Sequence, residues 1–309
     1  MSAVVHNPMM PVPAEEPSPG RTVALHRDLV LATDGSPAAF AATRFVSALT
    51  ARWPVTPHVV TVVPPPPMAF DPSGGTVTLD MSLEEQLSSE VGRQLEICFG
   101  SAWSRETCVG SPAAELARVA ERRASDLIVV GLRPHAFLDR VFRDETALSL
   151  MRNAKVPVLA VTPHLQRLPR RIAVAIDFSR ASIAAARAAL ALLDDGGSLA
   201  LVYVEPPTEP HSEETEGFGT IYAQGVAAAF CRLRQELASR PNVSIETVVL
   251  HGNVAAELLS FAERADVDVI AVGSQRHSVA RRAFVGGVTT ALARAATHSL
   301  LVLPPGRRV

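Results

Sequence analysis

Short apolar runs alternate with longer amphipathic stretches along almost the whole chain. Runs of this length are typical of strands that are covered on both faces of a sheet. The stretches between them have helical spacing, and Ser36 and Ser179 stand where helix N-caps are expected. Strand–helix alternation predicts parallel sheets with right-handed crossovers. The predicted strands are 28–33, 58–63, 105–109, 126–131 and 157–162, then 171–176, 198–204, 243–250, 267–273 and 299–303.

The same pattern occurs twice in the chain. Asp34, after the first strand, corresponds to Asp177, an offset of 177 − 34 = 143 positions. Three matches in almost the same register indicate duplicated domains rather than a solenoid of short repeats. We therefore predict two tandem α/β domains, each a doubly wound five-stranded parallel sheet of the Rossmann-like kind. The other two matches pair 113–116 with 255–258 and 126–131 with 268–273, both 142 positions apart.

Domain boundaries follow from composition. The Pro-rich start cannot bury enough surface to fold and is expected to be a flexible tail. The linker is short, so the two domains should touch. Each domain closes with an apolar strand that would be a hazard if left unpaired, so we predict that these two strands meet in an internal pseudo-twofold dimer. The boundaries are 1–21 for the tail, 22–165 and 169–309 for the domains, and 157–162 and 299–303 for the closing strands.

Composition excludes several classes of protein. The net charge of −2 argues against a general nucleic-acid binder. No apolar run approaches the ~20 residues that span a bilayer, so no membrane association is expected. The three cysteines include no CxxC pair, which favours a reducing cytoplasm over a disulfide scaffold. Cys231 is expected to be buried, and His58, His251 and His298 to pack or cap. The nine histidines show no metal-ligand spacing, so no metal site is predicted.

Candidate chemistry lies where the strands of an open parallel sheet end, because ligands bind there. Asp34 and Asp177 end the first strands. Each has two interpretations: a turn residue that closes strand into helix, or an acceptor for an adenine amino group or a ribose hydroxyl. No Ser-His-Asp or Cys-His set has sequence support as a nucleophilic triad.

The segment after the ninth strand combines glycines with basic residues. Gly273 leaves the strand, and Gly286 and Gly287 precede a helix, so backbone N–H groups can approach a phosphate. The alternative is an ordinary loop with a solvated basic face. The basic residues are Arg276, His277, Arg281 and Arg282.

Taken together, these motifs resemble two tandem domains of the universal stress protein family over about residues 22–305. The resemblance implies a five-stranded parallel α/β fold that dimerises through its fifth strand, an arrangement that tandem members imitate within one chain. The motifs are Asp-x-Ser (Asp34/Ser36, Asp177/Ser179), the Ala-Ala-Glu-Leu segments within 110–116 and 252–258, the Asp-led fourth strands and the closing 156–161.

Members of this family that bind ATP carry Gly, two residues, Gly, nine residues, Gly, then Ser or Thr. In the second domain, Gly273 and Gly286 match, Arg276 replaces the middle glycine, and Gly287 lacks the hydroxyl. In the first domain only Gly131 matches. The remaining motif positions there are Pro134, Asp144 and Glu145. The resemblance thus implies a non-binding first domain and a degraded second site.

Two functions stay open. The first is a stress-response regulator that binds an adenine nucleotide (ATP, ADP or AMP, with or without Mg²⁺) in the second domain and acts on an unknown regulatory protein. The second is an interaction module without nucleotide that acts through its dimer-like surface, including homodimerisation. Enzymatic activity would be at most a slow ATPase. The predicted nucleotide-binding residues are Asp177, Val204, Gly273, Arg276, His277, Gly286, Gly287, Val288 and Thr289.

Overall fold

A computed structural model describes residues 28–63, 92, 103–133, 144–205, 216–238, 240, 242–274, 287–295 and 297–304. Strands and helices alternate within these residues, as predicted. The strands are β1 Asp28–Ala32, β2 Thr56–Val63, β3 Ser104–Val109, β4 Leu127–Gly131, β5 Val158–Val161, β6 Arg171–Ala175, β7 Ser198–Glu205, β8 Ser244–His251, β9 Val269–Gly273 and β10 Ser299–Leu303. The helices are α1 Pro37–Arg52, α2 Pro112–Arg122, α3 Asp144–Asn153, α4 Arg180–Leu192, α5 Glu216–Leu237, α6 Val254–Arg264 and α7 Gly287–Ala295.

All ten strands form one continuous sheet in the order β3-β2-β1-β4-β5-β10-β9-β6-β7-β8. Within each domain the neighbouring strands are parallel. In both halves the chain moves outward from the first strand and then returns to its other side. This reversal creates a switch point between β1 and β4, and another between β6 and β9. The predicted pair of doubly wound, five-stranded domains is confirmed.

Helices cover both faces of this sheet. Helices α1, α4 and α5 pack on one face, where Phe45, Leu49 and Leu192 are fully buried. Helices α2, α3, α6 and α7 pack on the other, against residues such as Ile128 and Ile270. Because alternate residues of a strand point to opposite faces, each central strand contributes to two apolar layers. Their near-continuous apolar sequences follow from this double covering.

The two domains meet through β5 and β10, which pair antiparallel. The central pair is Leu159 and Leu301, whose separation (301 − 159 = 142) equals the spacing of the sequence repeat. Equivalent residues therefore face each other, as an isologous interface requires. The buried pair Thr162 and Ser299 joins the same strands through two contacts of 3.0 Å. The predicted contact of the closing strands is confirmed.

The helix starts also follow the sequence. The Ser36 hydroxyl accepts a hydrogen bond from the Ala39 N–H at 3.3 Å, and Ser179 accepts one from the Ser182 N–H at 3.2 Å. Each satisfies one of the donors that the first turn of a helix leaves unpaired. The prediction that both serines are N-caps is confirmed.

Three expectations are wrong. β3 and β8 are not covered on both faces: they are the edge strands of the sheet, and Val109 and Val249 are largely exposed. Cys231 is exposed rather than buried. His251 is not packed, since its side chain is 74% exposed and pairs with Glu205 at 3.0 Å. The predicted tail 1–21 lies outside the described residues.

Candidate functional site

The turn after the first strand of each domain has the same construction. Oδ1 of Asp34 accepts the Ser36 N–H at 2.9 Å, and Oδ1 of Asp177 accepts the Ser179 N–H at 3.0 Å. The carboxylate thus closes an Asx turn that leads directly into the capped helix. This geometry confirms the turn interpretation of both acids. The nucleotide contact of Asp177 remains a prediction, and its side chain is exposed at the carboxyl end of β6.

The glycine that ends the fourth strand of each domain is required by packing. A Cβ on Gly273 would lie 2.3–2.6 Å from backbone atoms of Ala181 and Ser182, at the start of α4. A Cβ on Gly131 would lie 2.5–2.8 Å from backbone atoms at the start of α1. Strand and helix approach too closely for any side chain. This glycine therefore occurs in both domains whether or not a phosphate binds.

Gly287 has the opposite surroundings. It is the first residue of α7, and a Cβ placed on it would meet no atom within 4 Å. The first turn of α7 contains no acidic residue. Val288 and Thr289 follow, both partly buried, and Thr290 is buried. Within the first turn of α7, therefore, no carboxylate complements the positive end of the helix dipole.

Val204 lies near the same edge of the sheet. The ladder between β6 and β7 ends with the pair Ala175 and Val202, so Val204 lies two residues beyond the last pair. Its side chain is buried in the apolar layer on the α6 and α7 face. Where a strand extends beyond its neighbour, its backbone N–H and C=O groups on that side can form hydrogen bonds with a ligand.

An aromatic group beside Asp177 was not foreseen from the sequence. Phe178 stacks at 5.5 Å from Tyr203 and meets the edge of Phe230 at 5.1 Å. Tyr203 shares a hydrogen bond with Tyr222, and these are the two tyrosines of the chain. Burial raises the pKa of Tyr203, and its contact with Tyr222 raises it further. The scarcity of tyrosine was the one signal in the sequence that could have pointed here.

The first domain reaches the helix that carries the predicted phosphate site. The Arg152 guanidinium of α3 donates to the Thr290 hydroxyl of α7 at 2.9 Å. The predicted site residues Arg276, His277 and Gly286, together with Arg281, Arg282 and Pro134, lie outside the described residues.

A cleft of about 370 Å³ lies at the opposite edge of the sheet, near the amino ends of β6, β7 and β8. It is therefore remote from the predicted nucleotide residues. Among the described residues, no group of three or more His, Cys, Asp or Glu side chains is arranged to hold a metal ion. None of the helices in the described part is long and apolar enough to cross a membrane.

Comparison with known proteins agrees with this architecture. The model of the universal stress protein family matches twice, at residues 26–162 and 169–304. Universal stress protein MJ0531 of Methanocaldococcus jannaschii is 26% identical over 140 residues, which cover 44% of this chain and 82% of that protein.

Two solved structures share the fold over nearly the whole chain. A universal stress protein from Archaeoglobus fulgidus has 17% identity and a TM-score of 0.64, covering 90% of this chain and 98% of its own. A functionally unknown protein, PA1789 from Pseudomonas aeruginosa, has 16% identity and a TM-score of 0.57, covering 91% and 93%. With two matches of the family model in tandem, the chain belongs to the universal stress protein family.

Proposed function

We propose that this protein is a stress-response regulator whose second domain binds an adenine nucleotide at the carboxyl edge of the sheet. The observation that carries the proposal is the open start of α7. No atom of the described residues lies within 4 Å of a Cβ placed on Gly287, and no acid lies in the first turn. Unpaired N–H groups and the helix dipole favour an anion at such a position. A nucleotide supplies that anion in its phosphates.

The base and ribose would lie across the switch point from the phosphates. Asp177 is exposed at the end of β6, and Val204 lies beyond the ladder of β6 with β7. Gly273, at the end of β9, lets the start of α4 approach the strand at this switch point. Val288 and Thr289 would surround the phosphates from α7. Arg276, His277 and Gly286 are assigned to the phosphate end on the family motif alone.

The first domain offers a less suitable anion position. Its corresponding helix α3 begins with Asp144 and Glu145 in the sequence. Acidic residues at the first two positions of a helix disfavour a phosphate at that end, because both carry negative charge. We therefore expect one nucleotide for each chain.

Titration calorimetry with ATP and magnesium tests this proposal on three proteins. The wild-type chain should bind one nucleotide. Gly287→Asp should abolish binding because it adds negative charge at the phosphates. Gly287→Asn is the matched control: it adds nearly the same bulk without charge, and the open space accommodates it. Native mass spectrometry should find an adenine nucleotide on the purified wild-type protein.

Absence of binding in the wild-type protein would overturn the proposal. Equal loss in the Asp and Asn variants would place the phosphates elsewhere or indicate a purely steric effect. Arg276→Gly then separates two roles of that residue: tighter binding means that Arg276 obstructs the site, and weaker binding means that it pairs with a phosphate.

The alternative is an interaction module without nucleotide. The exposed apolar residues of α5 favour it, because Ile221 is 68% exposed and Tyr222 50% exposed. Apolar side chains grouped on a surface are typical of protein contacts. A nucleotide-free protein whose oligomeric state changes in Ile221→Asp would support this second function.

A further inference from the structure

Three polar side chains of the first domain form a hydrogen-bonded series on neighbouring strands. The Ser104 hydroxyl oxygen lies 2.7 Å from Nδ1 of His58, and Nε2 of His58 lies 3.0 Å from Oε2 of Glu106. A hydroxyl, an imidazole and a carboxylate in this order are the parts of an activated nucleophile. We propose that Ser104 is a nucleophile that accepts acyl groups from activated esters, with His58 as its general base.

The hydrogen-bond partners set the tautomer of His58. Glu106 is ionised, because Arg122 and His58 hold the pKa of its carboxyl at about 2. An ionised carboxylate can only accept, so Nε2 of His58 carries the proton and donates it to Glu106. In the neutral imidazole that carries its proton on Nε2, Nδ1 is the acceptor that faces the Ser104 hydroxyl. This is the state that a general base needs before it takes a proton.

Glu106 is itself held in place by neighbours. The Arg122 guanidinium of α2 donates to both of its carboxylate oxygens at 2.7 Å. The Cys108 thiol donates to Oε1 at 3.6 Å. Glu106 and Arg122 are therefore positioning residues that orient the imidazole. Burial raises the pKa of Cys108, so this thiol stays protonated and does not compete as a nucleophile.

Exposure matches these roles. Ser104 begins the edge strand β3 and is exposed, so a substrate can reach its hydroxyl. His58 lies on the inner strand β2 and is 6% exposed. The parallel register pairs His58 with Ser104 directly, and Glu106 is two residues further along the same face of β3.

The fold itself does not require this arrangement. In the second domain, β7 and β8 repeat the same register, with Ala200 paired to Glu246 where the first domain pairs His58 to Ser104. Val248 stands in the place of Glu106. The three residues are thus a property of the first domain alone.

The reaction is an acyl transfer. The Ser104 oxygen attacks the ester carbonyl carbon, its proton passes to Nδ1 of His58, and the bond from the carbonyl carbon to the leaving oxygen breaks. The leaving group departs as an alcohol with the proton from His58, or as a phenolate, in which case His58 releases its proton to solvent water. Water then attacks the acyl-serine, with His58 taking its proton, and the carboxylic acid product leaves while Ser104 recovers its hydrogen. Both bonds that break and the protons that move are accounted for without a cofactor.

p-Nitrophenyl acetate is the probe, and the full-length protein is the reagent. We expect a burst of p-nitrophenol and, after acid quenching, an acetyl group on the peptide that contains Ser104. Ser104→Ala removes the attacking oxygen, so the burst and the acetyl group at position 104 should both be lost. The matched control is Ser244→Ala: Ser244 is exposed and begins the other edge strand, paired with Ser198 rather than a histidine. This control should react like the wild-type protein.

Two further variants test the roles of the neighbours. His58→Gln should lose the burst while a thermal melt reports that it is folded. Glu106→Gln should lower the rate constant of the burst and leave its amplitude unchanged, whereas a loss of folded protein lowers the amplitude and leaves the rate constant unchanged. Equal rates in wild-type and Ser104→Ala, or an acetyl group found only on Lys155 or on His58, would overturn the proposal.

Discussion

Three neighbouring side chains in the first domain affect the pKa of the Glu106 carboxyl. It accepts hydrogen bonds from Arg122, His58 and Cys108, and Arg122 contributes most to the lowering of its pKa from 4.5 to about 2. A carboxyl whose pKa is lower in the folded state stabilises the fold only while it is ionised. Its contribution is complete above the unfolded value of 4.5 and is lost as the pH falls toward 2.

This lowering predicts the acid response of the protein. Between about pH 4.5 and about pH 2, the free energy of unfolding should fall in the wild-type protein and should fall less steeply in Glu106→Gln, which has no carboxyl to protonate. Urea denaturation at several pH values measures both slopes. Glu205→Gln is the control, because its carboxyl also pairs with a histidine, the exposed His251. Identical slopes for Glu106→Gln and the wild-type protein would contradict the assigned role of Glu106.

At the scale of elements, the contact of a strand end with a helix start fixes the switch point. Gly131 and Gly273 lie against the first turns of α1 and α4 at distances that leave no room for a Cβ. The described glycines at this edge of the sheet are therefore of two kinds. One kind allows helix and strand to approach, and the other, represented by Gly287, leaves space in front of a helix.

Two alanine substitutions distinguish these kinds. Gly273→Ala should destabilise the protein by about 1–3 kcal/mol, since the new methyl group meets fixed backbone rather than a flexible side chain. Gly287→Ala should be neutral or stabilise by up to about 1 kcal/mol, because alanine restricts the unfolded chain. Chemical denaturation of both variants measures the difference. A Gly273→Ala protein as stable as the wild type would mean that the start of α4 shifts at little cost to accommodate the methyl group.

Local patterns predicted the elements better than they predicted the contacts between them. Apolar runs located all ten strands, and capping chemistry located the starts of α1 and α4, because both signals depend on residues close in sequence. The sequence did not predict the contacts among Ser104, His58 and Glu106. His58 is 46 positions from Ser104 and 48 from Glu106, and these residues meet only through the register of β2 with β3. The sequence also did not predict that β3 and β8 are exposed, because the order of strands in the sheet decides which strands lie at its edges.

The same difference between local patterns and long-range contacts holds at the predicted nucleotide site. Asp177 and Gly273 were found by motif, and local geometry now explains each through the fold, as a turn acceptor and as a packing glycine. Phe178 and Tyr203 were not found, since their contact depends on how α4 and α5 pack beside β7. A motif match at these two positions is therefore explained by the fold and does not by itself identify a ligand.

At the scale of the whole molecule, the boundary between the domains lies inside a continuous sheet. β5 and β10 are central strands of ten, and Leu159 and Leu301 are fully buried where they pair. The linker packs as well, with Leu165 and Leu168 buried in the same apolar layer. Separating the domains would expose the paired edges of the apolar strands β5 and β10 to water. We therefore expect the two domains to unfold together, unlike domains joined by a flexible linker.

The aromatic residues allow this to be measured, because each domain carries its own reporters. The two tryptophans, Trp53 and Trp103, belong to the first domain, and the two tyrosines, Tyr203 and Tyr222, to the second.

Leu199 is fully buried in β7 and pairs with Ile172, away from the first domain. Leu199→Ala should cost about 2–5 kcal/mol, as large-to-small changes in a core do. Because the sheet is shared, it should shift the tryptophan and tyrosine transitions to lower denaturant by the same amount. Ile221→Ala, at an exposed position of the second domain, should shift neither. A tryptophan transition that stays at the wild-type midpoint while the tyrosine transition moves would mean that the domains fold independently and that the β5–β10 ladder adds little to their stability.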